Sequence, residues 1–158
     1  MLSLQQTWRS QECDFLVEKS QLLGHVIQDG QIRPSDEKLA AIENIDSRSI
    51  TTKKQLKSAL GLINFFRDFI PHCAQIALPL TALLKKNQPE KIRWMVETER
   101  ALHDLKESVK SDRCLYAPDQ SKPYQLFTDA SFGAVAAWIG QYDSSGCLRP
   151  IAFASKKL

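Results

Sequence analysis

No pair of cysteines in this chain has metal-binding spacing. Cys13, Cys73, Cys114 and Cys147 form no Cys-x-x-Cys, and the histidines, His25, His72 and His103, are scattered. That argues against a zinc site and leaves reduced, partly buried thiols. No run is apolar enough or long enough to span a membrane, and no basic-then-apolar leader opens the chain. The expectation is an intracellular protein, cytoplasmic or nuclear, neither secreted nor membrane-bound. Charge of one sign is also lacking. Twenty-one Lys and Arg against 18 Asp and Glu leave +3, so any polyanion partner must be read from where the cations sit. There is no internal repeat and no low-complexity tract. What the chain does have is 43% hydrophobic residues over 158 positions, enough for the core of one domain or two small ones.

The chain divides into three blocks. From Glu12 to Ile32, Cys13–Val17 and Leu22–Ile27 read as two strands, with Glu18-Lys-Ser-Gln21 as their turn. Gly24 falls inside the second strand, where glycine marks a bulge or a close backbone approach. Asp29-Gly30 is a further turn signal.

From Pro34 to Ser111 the pattern is helical. Ser35 is an expected N-cap, with Asp36 and Glu37 in the first turn. Thr52-Lys-Lys-Gln55 has the form of a capping box and opens the strongest helix, whose stripe is Leu56, Ala59, Leu60, Ile63 and Phe66. Pro71 limits that helix, and Pro79 kinks or divides the next. Thr98, Ala101, Leu102, Leu105 and Val109 mark a fourth. His72-Cys73 has the look of a catalytic dyad but reads better as a helix start, since neighbours on a helix do not face each other.

From Cys114 onward, short β-favouring runs alternate with Asp119-Gln-Ser-Lys122 and Asp143-Ser-Ser-Gly146, a three-stranded meander. The first run, Tyr124-Gln-Leu-Phe, delivers Asp129 into a Thr-Asp-Ala-Ser turn. Three strands with an acid at the inner end of the first suggest the opening of a ribonuclease H-like sheet. The overall fold class is α+β: a β-hairpin, a helical bundle, then an incomplete three-stranded sheet.

Five segments in one order carry a resemblance. They are Leu23-Gly-His25, Leu60-Gly-Leu-Ile-Asn-Phe-Phe-Arg-Asp-Phe-Ile-Pro71, Pro79-Leu-Thr-Ala-Leu-Leu84, Phe127-Thr-Asp-Ala-Ser131 and Pro150-Ile-Ala-Phe-Ala-Ser-Lys-Lys-Leu158. From about Cys13 onward the chain resembles the reverse transcriptase of Ty3/gypsy-type long-terminal-repeat retrotransposons. The resemblance implies that residues 1–33 end the palm and carry a primer-grip-like hairpin. Residues 34–113 would be the thumb, and residues 114–158 the start of a ribonuclease H-like or connection domain. It implies an RNA/DNA hybrid or duplex template-primer as partner, together with the rest of a Pol polyprotein. It implies Mg2+ as cofactor of the parent RNA-directed DNA polymerase and ribonuclease H. The chain holds no Tyr-x-Asp-Asp and only one of the ribonuclease H carboxylates, so the expectation is an inactive fragment of a transposable-element enzyme. Where the family often has a glycine pair, this chain has Ala136 and Trp138.

The candidate residues follow. Lys57, Gly61 and Phe65, at i, i+4 and i+8, share a helix face. Glycine inside a helix costs about 1 kcal/mol relative to alanine, so something should offset it. In the resembled family this helix rides in the minor groove of the duplex. The bland alternative is that Gly61 lets two helices pack closely and Phe65 is core. Lys53, Lys54, Lys57 and Arg67 add cations, which are otherwise a solvated face. Leu23, Gly24 and His25 resemble the primer grip; otherwise His25 is simply packed. Asp129 is the one catalytic and metal-ligating candidate. It is a first metal ligand, a relic in a connection domain, or a turn acid. Beside the polymerase-fragment reading stand a noncatalytic nucleic-acid-binding module and a host-retained interaction protein.

Overall fold

The computed structural model describes residues 17–110 and 114–158. Three antiparallel strands open it, β1 (Lys19–Leu22), β2 (His25–Gln28) and β3 (Gln31–Pro34). Their loops are Leu23-Gly24, at φ 49° and 80°, and Asp29-Gly30, at φ 50° and 71°. Positive φ at both central residues is the two-residue geometry that matches strand twist. The expected hairpin is therefore shifted. Glu18–Gln21 is not the turn, because Lys19–Leu22 is itself a strand and Gly24 turns the chain. Residues 13–16 of the expected first strand lie outside the described residues. Asp29-Gly30 turns as expected.

The fourth strand of this sheet comes from far along the chain. β4 (Leu115–Tyr116) pairs with Ile32 and Gln31, giving the order β1-β2-β3-β4. Leu115 is buried in the helical core, with Ile32 packed against that core. Burial of this one side chain draws the segment to the first sheet rather than to the meander that follows.

Five helices make the middle layer: α1 (Asp36–Glu43), α2 (Lys53–Asn64), α3 (Cys73–Ile76), α4 (Leu78–Leu83) and α5 (Val96–Lys110). Ser35 stands at the N-cap of α1, but its hydroxyl caps nothing. It is buried without a partner among the described residues, while its backbone N–H donates to Gly24 O at 2.9 Å. Thr52 does what its motif predicts, and the reciprocal bonds with Gln55 are both present. Pro79 sits in the first turn of α4, where its missing N–H costs nothing, so α3 and α4 are separate helices. The core is one cluster. Ile42, Leu56, Ile63, Phe66, Ile70, Leu80 and Leu105 are at most 1% exposed. Among the described residues no helix is long and apolar enough to cross a membrane.

The last sheet is β5 (Gln125–Ala130), β6 (Ala134–Tyr142) and β7 (Leu148–Lys157), antiparallel in the order β5-β6-β7. Phe127, Trp138 and Phe153 line up across it, with Phe127 and Trp138 stacked at 4.4 Å. A bulge at Ile139–Gly140 lets β7 press close, since a Cβ on Gly140 would stand 2.7 Å from Arg149 O. Two bonds tie the sheet to the helices. Ser155 Oγ accepts from the Ala74 N–H at 2.9 Å, and Ser155 O accepts from the Arg67 guanidinium at 2.5 Å.

Candidate nucleic-acid interface

The α2 face begins with its glycine. A Cβ built on Gly61 meets nothing within 4 Å. Lys57 is exposed and Phe65 is 49% exposed. Among the described residues no neighbouring helix needs Gly61 bare, and Phe65 is only partly covered. What remains is a strip of cation, open backbone and aromatic ring facing outward.

The neighbouring cations divide. Lys54 is exposed on the first turn of α2. Lys53 is partly engaged. Its Nζ donates to Lys85 O and Gln88 O, both at 2.7 Å, and clamps the turn after α4. Those two bonds hold the Lys53 ammonium toward the turn, where Lys85 O also accepts from the Gln88 N–H. Arg67 is spent in part on Ser155 O.

The hairpin tip lies beside this face. Leu23 is 80% exposed and holds a left-handed backbone, with Gly24 next to it. His25, one residue on, does not reach outward alone. Its ring packs among Phe65, Phe66 and Phe69, with centroids 5.3, 5.4 and 5.6 Å away. An aromatic cluster therefore joins β2 to the end of α2 and brings Leu23, Gly24 and Phe65 into one neighbourhood. Sequence spacing had no signal for this, since the partners are about forty positions apart.

Asp129 lies apart from that strip. It sits on the edge strand β5, opposite Ala136, with a side chain 64% exposed. His72 Nδ1 stands 3.6 Å from its Oδ2. His72 is the N-cap of α3 at φ 53°, so the helix-start reading of His72-Cys73 holds. Cys73 is buried and its thiol is pushed up by that burial, and the imidazole turns to Asp129 instead. Mg2+ asks for about six oxygen ligands, several of them carboxylate or water. Among the described residues no group of three or more His, Cys, Asp or Glu could hold a metal ion. The described residues do not by themselves build a magnesium centre.

A protein-family model, the RNase H-like domain found in reverse transcriptase, matches residues 94–158. The match takes in α5 as well as the last sheet. Over a longer span the chain is similar to the retrovirus-related Pol polyprotein from transposon 297 of Drosophila melanogaster. Identity is 35% over 153 residues, 93% of this chain and 13% of that protein. The transposon Tf2-3 polyprotein of Schizosaccharomyces pombe is 29% identical over 147 residues, 93% of this chain and 11% of that protein. The chain thus spans little more than a tenth of these curated relatives. Among solved structures it is similar to the foamy viral protease-reverse transcriptase in complex with RNA/DNA hybrid. The TM-score is 0.73 at 29% identity, over 94% of this chain and 20% of that one. The α+β fold and the resemblance to the reverse transcriptase–RNase H region of Ty3/gypsy-type Pol polyproteins stand on these matches.

Proposed function

We propose that the chain is the part of a retrotransposon reverse transcriptase that holds template-primer duplex. The open glycine on α2 carries this reading. A helix that tolerates an interior glycine with nothing packed on it has kept its backbone accessible at about 1 kcal/mol of helix propensity. A cation and a half-exposed ring flank it. Such a strip suits a duplex groove, with Lys57 and Lys54 near phosphate, Gly61 against sugar and Phe65 against base edges. The relative bound to RNA/DNA hybrid supports hybrid as the ligand.

In this reading residues 1–33 end the palm, residues 34–113 form the thumb and residues 114–158 open the RNase H-like domain. Core residues of α5 belong to the same cluster as those of α2 and α4, so α5 packs with the thumb helices. Leu23 and Gly24 offer backbone at the primer's end, and His25 positions them through its phenylalanine cluster. Asp129 is one carboxylate toward the magnesium of the whole enzyme, whose other ligands would come from elsewhere in the polyprotein.

The test is a fluorescence titration of a short RNA/DNA hybrid at several salt concentrations. Weak, sequence-tolerant, salt-dependent binding is expected. Lys57→Ala should weaken it several-fold and flatten the salt slope by about 1. Unchanged affinity in Lys57→Ala, or binding indifferent to salt, overturns the assignment.

A further inference from the structure

The tip of the first hairpin is not held by its own strands alone. Leu23 and Gly24 both carry positive φ, 49° and 80°, and Leu23 is 80% exposed. A left-handed backbone is costly for an L-residue, and glycine is free to leave it, so a tip of one defined shape needs support from outside. The first turns of α1 supply two supports. The Ser35 N–H donates to Gly24 O at 2.9 Å. The stem of Lys38, which is half-buried, lies where a side chain on Gly24 would go. A Cβ built on Gly24 would stand 3.1 Å from Lys38 Cε and 3.2 Å from its Cγ. Methylenes make this contact, not charge. Asp36 and Glu37, in the first turn of the same helix, offset the Lys38 ammonium.

We propose that Lys38 is a positioning residue for nucleic acid at this tip. Its stem packs over Gly24 and, with the Ser35 N–H, fixes the tip backbone in the shape that receives the primer's end. Lys38 itself touches no nucleic acid. The proposal rests on the duplex-holding reading and adds the element that sets the tip, α1, which that reading does not use. A long unbranched side chain suits the task, because its stem lies along the backbone while its charged end stays in water. The same packing accounts for the glycine. The space beside Gly24 is taken, so even asparagine, which tolerates positive φ, would have to displace the stem.

The experiment compares the unaltered chain with Lys38→Ala, Lys38→Met and Lys57→Ala. The probes are an RNA/DNA hybrid with a recessed primer 3′ end and the same hybrid with blunt ends. Alanine keeps helix propensity and removes the stem, whereas methionine restores most of the stem without the charge. Lys38→Ala should bind the recessed hybrid several-fold more weakly, with an unchanged salt slope, and the blunt hybrid as before. Lys38→Met should recover the loss. Hydrogen exchange at the Ser35 amide reports its bond to Gly24 O directly, and should quicken in Lys38→Ala but not in Lys38→Met. Thermal melting shows whether each variant is folded. Unchanged exchange at Ser35 in Lys38→Ala overturns the proposal. So does Lys38→Met binding as poorly as Lys38→Ala with a slope flattened by about 0.9, since the ammonium would then be a phosphate contact. If both variants bind like the unaltered chain while Lys57→Ala is weakened, the proposal fails and the α2 reading stands. If the unaltered chain binds neither hybrid, both fail.

Discussion

His72 and Asp129 meet across the seam between the helical layer and the last sheet, imidazole to carboxylate at 3.6 Å. The contact comes at the expense of backbone ease. His72 holds φ at 53°, a left-handed conformation that costs an L-residue about 1–2 kcal/mol. His72→Gly should therefore leave the fold intact and raise or preserve stability. His72→Val, β-branched at a positive φ, should lower it by at least about 1 kcal/mol. Urea unfolding of the two variants measures this. Equal stability of both would show that the left-handed geometry is not imposed by the fold.

The turn between β6 and β7 should respond to acid. Asp143 is held well below the usual carboxylate range, first by the Ser145 hydroxyl, then by the Arg149 guanidinium and the Cys147 N–H. Its folded pKa is depressed, so the stability it contributes is present above the ordinary carboxylate pKa, near about 4. That contribution is lost as pH falls further, toward the folded value. Thermal melts between pH 5 and pH 2 should show a steeper decline than those of Asp143→Asn, in which Glu43 and Asp119 still respond to acid. Parallel curves for the two proteins would contradict it.

The sheet should be unevenly protected from hydrogen exchange. β5 is an edge strand with Leu126 67% exposed, whereas β7 is tied to the helices through Ser155. Amides of Gln125–Ala130 should exchange early, and those of α2 late. Uniform, strong protection in a monomer at all concentrations would mean that β5 is covered in solution.

The chain alone should cleave no hybrid with Mg2+ or Mn2+. One carboxylate, with no metal-holding group of His, Cys, Asp or Glu around it among the described residues, cannot position two metals for in-line attack. Cleavage that Asp129→Asn abolishes would show that a second molecule completes the site.

Local chemistry was legible in the sequence and distant pairing was not. The Thr52–Gln55 capping box, the division at Pro79 and the meander after Tyr124 all depend on residues within a few positions of one another. The hairpin was misplaced because its turn begins at Leu23, a residue type that gives no turn signal, and only the following Gly24 supplies a permissive φ. Pairing of Leu115 with Ile32 spans more than eighty residues and rests on one buried leucine. The Lys57-Gly61-Phe65 strip was visible as periodicity. That Gly61 faces open space, and that Lys53 is captured by the turn at Lys85–Gln88, required the packed molecule.

Gly61→Ala is the most direct measurement, because stability and binding should move in opposite directions. With nothing within 4 Å of the added methyl, the variant should be more stable by up to about 1 kcal/mol in urea unfolding. The same methyl should stand between the α2 backbone and a bound duplex and weaken hybrid binding several-fold at fixed salt. A variant that is more stable and binds hybrid as well as before would contradict the account, since the bare backbone would then serve no partner.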